Sequence, residues 1–345
     1  YAPAIIFIDE IDAVGRKRGE SNANHGEEMA LNALLTEIDG FSVDPKRPVF
    51  VLAATNFDVE EGQGGLGVID PALARRFDRK ILVDLPNTEE REQFLRMMLK
   101  KNTTNTVSNE MIVRLASRST GLSPANLAAV LELANRMAVK QSQPLDDAIL
   151  DEAYELTRHG EKKDWGYEYL ERVARHESGH ALLCYLGGNT PAYLTIVARG
   201  RHGGYMEHSG EDMGPLQTRE QLIGRIRTSL GGRAAEIVYY GEKEGVSTGA
   251  SGDLESATRV ARAMLCNYGM DTEFGLAVLS PEEAQRGPMA EKVSRRVSEI
   301  IGVEMTQTIQ IISENKARID RLVSELMAKN KLTKEEIEEL LKDPV

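Results

Sequence analysis

The residues best suited to chemistry lie in the stretch VARHESGHALL, from Val173 to Leu183. His176 and His180 are four apart, and Glu177 directly follows the first of them. On a helix, positions i and i+4 share one face, so both imidazoles reach one ion while Glu177 borders the same cavity. This is H-E-x-x-H spacing, in which two neutral imidazoles bind zinc and the Glu takes a proton from water acidified at the metal. The plainer alternative is a pair of satisfied histidines on a buried helix. With six histidines in the whole chain, the spacing arises by chance on the order of one time in a hundred. Ser178 and Gly179 are both small, as the pattern requires.

Zinc at a catalytic site takes three protein ligands and leaves one position for water. Cys184 continues the i+4 series, but it lies about 12 Å along a helix axis from His176, whereas zinc–ligand bonds are only ~2.0–2.3 Å. That thiol belongs in the core. A longer histidine motif needs Gly at 183 and His at 186; the chain has Leu183 and Leu186 there, so that subclass is excluded. The third ligand must come from another segment, and His202, His208, Glu207, Glu211, Glu236 and Asp253 all have suitable chemistry. Asp253, in STGASGDLESAT, stands at a loop-to-helix junction that can aim a carboxylate, although the same position suits an ordinary helix N-cap. On the residues alone the choice stays open.

A second chemical stretch is AIIFIDEIDA, near the start. A buried strand that ends on Asp9 and Glu10 suits phosphate transfer: Asp9 to hold magnesium through water, Glu10 to polarise the attacking water. Strand termini facing solvent often carry acids as well. Asn56 ends the next apolar run, at the usual ligand side of such sheets. Arg75, Arg76 and Arg79 in ARRFDRK are planar cations able to reach a transferring phosphate on a neighbouring subunit, or to form surface ion pairs. No G-x-x-x-x-G-K-[ST] phosphate cradle occurs in the chain, and the chain by itself is not expected to hydrolyse ATP.

These groups need elements to hold them. AIIFIDE and RPVFVLAATN read as strands buried on both faces of a parallel sheet, with GEEMALNALLTEIDG as the helix between them and RKILVDLP as a third strand. This is an α/β pattern. After Pro86 come four amphipathic segments with capping-type starts, TEEREQFLRMMLKKN, SNEMIVRLASRSTG, SPANLAAVLELANRMAVKQ and LDDAILDEAYELTRHG, which predict a small helical bundle. HGEKKDWG is a polar linker. From about Tyr167 a third unit carries the histidine helix, the strand-and-turn stretch AYLTIVARGRHGGYMEHSGED, two further helices, and a charged helical tail from Met289.

Length and composition agree with this plan. The 345 residues suffice for two or three domains, and 41% apolar with 28% charged residues is a globular composition. A formal charge of −12 argues against nucleic acid or an anionic membrane surface as main partner. Two cysteines in apolar helical stretches make no disulfide framework and fit a reducing compartment. No apolar run is long enough to span a bilayer. The chain opens without Met at the threshold of a core strand, and we expect it to be the C-terminal part of a longer protein.

Taken together, these stretches closely resemble the FtsH family, membrane-anchored AAA+ ATP-dependent zinc metalloproteases, over nearly the whole chain. IIFIDEIDAVGRKRG resembles its Walker B region, AATN and DPALARRFDR its sensor 1 and second region of homology, and GLSPANLAAVLELA its lid motif. HESGHALL, LGGRAAEIVYYG and STGASGDLESATRVARAM resemble its peptidase domain. The resemblance implies a partial α/β AAA+ nucleotide-binding subdomain over 1–85, an α-helical lid over 86–160, and a mainly α-helical zinc metallopeptidase domain over 161–345. By position, His176, His180 and Asp253 match the family's zinc ligands and Glu177 its catalytic base. Asp9 and Glu10 match the Walker B pair, Asn56 the sensor, and Arg76 and Arg79 the arginine fingers.

The resemblance also implies Zn2+, with ATP and Mg2+ in the full-length protein, polypeptide substrates, and a homo-hexamer that unfolds and degrades membrane and soluble proteins in quality control. It implies anchoring through N-terminal segments absent here, with the catalytic domains in the cytoplasm of a bacterium or an organellar equivalent. Departures are the glycine-rich insertion in FDVEEGQGGLGVIDPALARRFDR, the missing Pro-Gly before RFDR, and SPANL and HESGH where SGADL and HEAGH are usual. The competing expectation is a chaperone-like AAA+ unfoldase whose peptidase fold is only structural. RGRHGGYMEH stands where the family has a cleft-lining strand, to which a peptide can add by main-chain pairing; Gly204→Pro is expected to slow cleavage without loss of zinc.

Overall fold

The computed structural model describes residues 3–15, 25–40, 47–57, 69–101, 104–200, 202–208 and 216–342. They form two compact units, over residues 1–84 and 85–345.

In the first unit, β1 (Ala4–Ile8) and β2 (Val49–Ala53) pair in parallel, with Ala4 opposite Val49 and Ile8 opposite Ala53. Parallel neighbours need a crossover, and α1 (His25–Gly40) lies between them in the chain. Leu31 and Leu35, one helical turn apart, bury with Ile11, Ile69, Leu73 and Ala74. The short helix α2 (Pro71–Ala74) starts on a proline and is capped by Asp70, whose carboxylate accepts the Ala72 N–H at 2.8 Å.

Two expectations fail here. The strands are not buried on both faces: Ile5, Phe7, Phe50 and Leu52 are exposed, because among the described residues only one face of the pair carries a covering layer. Nor does RKILVDLP form a third strand. The sheet has two strands among the described residues, and Ile81, Leu82 and Val83 are 80%, 82% and 88% exposed. An apolar run expresses a need for burial, but a strand also needs an open edge to pair its backbone groups.

The second unit opens with the expected bundle: α3 (Thr88–Lys100), α4 (Asn109–Arg118), α5 (Pro124–Gln141) and α6 (Asp147–His159). Asn87, Ser108, Ser123 and Asp146 each cap the following helix by accepting a backbone N–H. Leu95, Leu115, Leu127, Leu131 and Tyr154 form the bundle's core. The polar stretch after α6 is not a loose linker. The Lys163 N–H donates to the Ala198 carbonyl at 2.8 Å and the Arg199 guanidinium donates to the Gly160 carbonyl at 3.1 Å.

Beyond it come α7 (Tyr167–Leu186), β3 (Pro191–Thr195), β4 (Tyr205–His208), α8 (Arg219–Gly245), α9 (Ser251–Cys266), α10 (Pro281–Gln285), α11 (Gly287–Glu314), α12 (Lys316–Lys329), β5 (Lys331–Thr333) and α13 (Lys334–Leu341). The three strands form one antiparallel sheet in the order β4-β3-β5. The tail is thus helical as expected, except that it also returns β5 to the sheet.

Leu182 of α7 buries with Ala234 and Ala235 of α8, Leu322 and Leu326 of α12, and Leu332 of β5. Complete burial of each leucine stabilises by about 1.5–3 kcal/mol. A second cluster joins Ile226 and Leu230 of α8 to Met264 of α9 and Val297 of α11. Between them these clusters fix α7, α8 and α9, the three helices that bear the site. Among the described residues no helix is long and apolar enough to cross a membrane.

Candidate metal centre

His176 and His180 lie on one face of α7, buried, with their Nε2 atoms 3.1 Å apart. Helix α8 presses on that face, and glycines make the approach possible. A Cβ built on Gly179 would stand 2.3 Å from the Gly231 carbonyl oxygen, and one on Gly232 would stand 2.3 Å from His176 Nε2. Thr228, Gly232 and Glu236 follow one another at i+4 along α8 and form the wall behind the two rings. The Thr228 carbonyl accepts from His180 Nδ1 at 2.6 Å, and Glu236 accepts from His176 Nδ1 at 3.2 Å. Ser247 in turn donates its hydroxyl to Glu236 at 2.6 Å.

Those bonds settle the tautomers. A carbonyl and a carboxylate can only accept, so each Nδ1 carries a proton, and Nε2 is the nitrogen that a neutral ring offers to a metal in the cavity. The third group there is Asp253, in the first turn of α9. It does not cap that helix; Ala250 holds the N-cap position, and Ser247 caps the short turn before it. Asp253 Oδ2 lies 3.2 Å from His176 Nε2 and 3.4 Å from His180 Nε2.

Two ring nitrogens and a carboxylate oxygen this close together need a positive charge between them, either a proton or a metal ion. Four ligands on a tetrahedron with bonds of about 2.05 Å stand about 3.3 Å apart, and the observed edges are 3.1, 3.2 and 3.4 Å. The donor set therefore fits zinc. It is the one His/Asp group among the described residues whose ligand atoms converge in this way. The electrostatics point to the same need for positive charge. Burial alone would lower the His176 imidazole, but Asp253 and Glu236 outweigh it and raise it to about 10. Burial likewise opposes the Asp253 carboxylate, yet the two histidines hold it well below the usual range. Glu177 is buried beside them, and burial raises its carboxyl against the pull of both rings.

The other residues weighed as third ligand lie elsewhere. Glu207 faces Arg118, His208 is exposed with Nδ1 3.8 Å from the buried Cys184 sulfur, and His202 pairs with Arg199 in an isolated bridge. Glu211 falls outside the described residues. Glu236 reaches a histidine, but at the nitrogen that points away from the cavity. Its orienting role, and that of the Thr228 carbonyl, are not apparent from the chain. The available clue is the spacing of Gly232 and Glu236 in LGGRAAEIV, one turn apart.

In the first unit, Asp9, Glu10 and Asn56 come to the same end of the β1–β2 pair. The Ile11 N–H donates to the Ala54 carbonyl at 3.0 Å, tying the two strand ends together. Glu10 adopts a left-handed conformation with φ of 48°, and its N–H donates to Asp9 at 3.0 Å. A further acid, Asp12, is buried and accepts from the Thr55 hydroxyl at 2.8 Å. Arg76 follows α2 and donates to the Ala72 carbonyl at 2.8 Å; Arg79 is exposed. The glycine-rich insertion, 58–68, is outside the described residues.

The histidine helix and its convergent ligand atoms make a candidate metal centre of the H-E-x-x-H kind, carried on the same chain as a parallel β1–β2 pair. Residues 167–340 match the model of Peptidase family M41, and residues 1–85 match that of the ATPase family associated with various cellular activities (AAA). The chain is 37% identical over 355 residues to the ATP-dependent zinc metalloprotease FtsH of Ureaplasma parvum, covering 98% of this chain and 47% of that protein. It is 34% identical over 343 residues to the ATP-dependent zinc metalloprotease FtsH 3 of Sphaerobacter thermophilus, covering 96% and 66%. With the corresponding protein of Chloroflexus aggregans it shares 35% over 370 residues, covering 99% and 54%. The chain belongs to the FtsH family, and it spans about half to two thirds of the length of these relatives.

Proposed function

We propose that the chain is the proteolytic part of an ATP-dependent zinc metalloendopeptidase, with His176, His180 and Asp253 as metal ligands and Glu177 as catalytic base. The observation that carries this reading is the convergence of two Nε2 atoms and one carboxylate oxygen beside a buried glutamate. Zinc held there supplies Lewis acidity, which acidifies water and polarises a peptide carbonyl. The residues of the chain do the rest. Glu236 and Thr228 hold the imidazoles in the binding tautomer, Glu177 takes the proton of the attacking water, and the same carboxyl delivers it to the leaving amine. A raised Glu177 carboxyl suits this exchange, because its protonated and ionised forms lie closer in energy.

The substrates are polypeptides. Among the described residues β4 ends the sheet order, and an extended chain can add to its outer edge. The relatives' names support ATP dependence; on this reading Mg2+ and nucleotide sit at Asp9, Glu10 and Asn56, and Arg76 and Arg79 reach a neighbouring subunit in a homo-hexamer. Anchoring in a membrane with cytoplasmic catalytic domains, and protein quality control as the role, complete the proposal.

The test is metal analysis together with casein digestion by the full-length protein and its Glu177→Gln variant. The wild type is expected to hold about one zinc per chain. The variant is expected to keep the metal and lose cleavage by about 100-fold or more. Undiminished cleavage by the variant would remove Glu177 from the mechanism.

A further inference from the structure

The most completely buried charged residue of the second unit among the described residues has no part in the metal centre. Arg118, the last residue of α4, has a fully buried side chain that spends its whole guanidinium fork on three carboxylates. Nε donates to Glu207 at 2.5 Å, Nη1 to Asp151 at 2.7 Å and Nη2 to Glu155 at 2.5 Å. Its carbon Cζ lies 3.5 Å from the Tyr193 ring centroid. The carboxylates have further cations, Lys331 on Asp151 at 2.6 Å and the buried Arg199 on Glu155 at 3.3 Å, and Arg199 also pairs with Glu152 at 2.9 Å, so each charge of the cluster has a partner of opposite sign.

The membership of the cluster is what distinguishes it. Arg118, Asp151 and Glu155 belong to the helical bundle, on α4 and α6. Glu207 belongs to β4, as does Tyr205, whose hydroxyl donates to Glu155. Tyr205 and Glu207 are two apart and so point to the same face of the strand. The bundle therefore grips β4 at two successive positions on that face. Tyr154 of α6 adds a further contact, its one hydroxyl proton shared between the Arg118 carbonyl at 2.8 Å and Glu207 at 3.1 Å. Immediately before β4, Gly204 packs so closely on the metal centre that a Cβ there would be 3.0 Å from Glu177 Cγ. The strand gripped by the bundle is the strand that runs from the glutamate of the centre and, among the described residues, ends the sheet.

We propose that Arg118 is a positioning residue for peptide cleavage: with Asp151 and Glu155 it holds the edge strand β4 at a set height against Glu177, so that the helical bundle governs how an extended substrate is presented. This rests on the peptidase reading above. A stability role alone accounts poorly for the arrangement, because apolar residues of similar volume generally stabilise a core at least as well as buried ions do. A planar fork does something that apolar packing does not. It specifies direction, and a displacement of β4 by about 1 Å breaks several charge-assisted bonds at once.

The experiment uses the full-length protein with Glu207→Gln and, separately, Tyr205→Phe, each of which loosens β4 while leaving Arg118 with two carboxylates or with all three. Hydrogen exchange is followed at the amides of β4 and of α7, zinc content is measured, and kcat and KM are determined on a short unstructured peptide. In both variants the β4 amides should exchange about tenfold faster with α7 unchanged and zinc retained, and KM should rise about tenfold while kcat stays within about twofold. Unchanged exchange at β4 in both variants overturns the proposal. So does faster exchange spread equally over α4, α6, α7 and β4 with a fall in kcat alone, which is the behaviour of a general stabiliser. If Glu207→Gln does not fold, Arg118→Lys, which keeps the positive charge and gives up the planar fork, decides by the same criteria. Failure of the peptidase reading shows itself separately, as peptide cleavage that survives Glu177→Gln, and the exchange measurement stands without it.

Discussion

Replacing Gly232 by alanine adds one methyl group to the wall behind the metal centre, and its effect can be worked out from the distances. The new Cβ would lie 2.3 Å from His176 Nε2, 2.5 Å from Cε1 and 2.6 Å from Cδ2. Non-bonded heavy atoms rest about 3.5 Å or more apart, so the ring or the helix must retreat by about 1.2 Å. Metal–ligand bonds tolerate about 0.2 Å. α8 has little freedom to withdraw, because Gly231 and Gly179 already bring the two backbones together and Leu230, Ala234 and Ala235 are fully buried on either side. The ring therefore moves and the third edge of the coordination triangle opens. Loss of ligand orientation alone costs about 10–100-fold in affinity; at 100-fold, the stabilisation that saturating zinc confers on folding falls by about 2.7 kcal/mol. The assay is competition for zinc against a chelator, with melting curves recorded with and without the metal. Gly224→Ala, on the same helix with open space around its Cβ, is the control and should match the wild type or gain up to about 1 kcal/mol. A Gly232→Ala protein with wild-type zinc affinity and the same metal-dependent shift in melting would refute the reasoning, since it would mean the rings do not sit where α8 constrains them.

Glu236→Gln keeps the shape of the His176 partner and removes its charge; zinc affinity should drop by about 10–100-fold, and an unaltered dissociation constant would deny Glu236 its orienting role. Gly204→Ala places a Cβ 2.6 Å from the Thr195 carbonyl oxygen and 3.0 Å from Glu177 Cγ, so peptide turnover should fall by up to about 100-fold with metal content unchanged; loss of zinc in step with activity would count against this. Burial opposes the Asp271 carboxylate, but Arg296 at 3.0 Å and the Glu273 and Phe274 N–H groups hold it below its ordinary value. The unfolded chain thus binds the proton more readily, and the stabilisation is complete above the ordinary Asp value of about 3.9 and fades as pH falls through the lower folded one. Asp271→Asn should cost about 1.5–3 kcal/mol in urea unfolding at pH 7, with the gap closing in acid; a gap independent of pH would point away from the ion pair.

How much of this was open to reading in the chain depends on the distance over which each contact acts. His176, Glu177 and His180 are legible because helical pitch alone puts them together. So are the four bundle helices, whose starts carry side chains that cap within three residues. Asp253 is 77 residues from His176, and nothing local separates its carboxylate from those of Glu207 or Glu236; only resemblance to a family singled it out. Glu236 is 60 residues from its histidine and Glu207 is 89 from Arg118, and in both cases the partner is chosen by the way helices and strands pack. The failed third strand teaches the same point from the other side, for Ile81, Leu82 and Val83 state an apolar demand without naming an edge to meet it. What links these cases is the pair of glycines on α8. Gly231 and Gly232 are written side by side in the chain, yet their purpose appears only when a second helix is laid against them, because a missing Cβ records the space reserved for a neighbour and not which neighbour fills it. Buried ionisable groups follow the same rule: a lone Arg118 or Glu236 would be costly to bury, so each implies that a partner exists, and the fold alone determines which one.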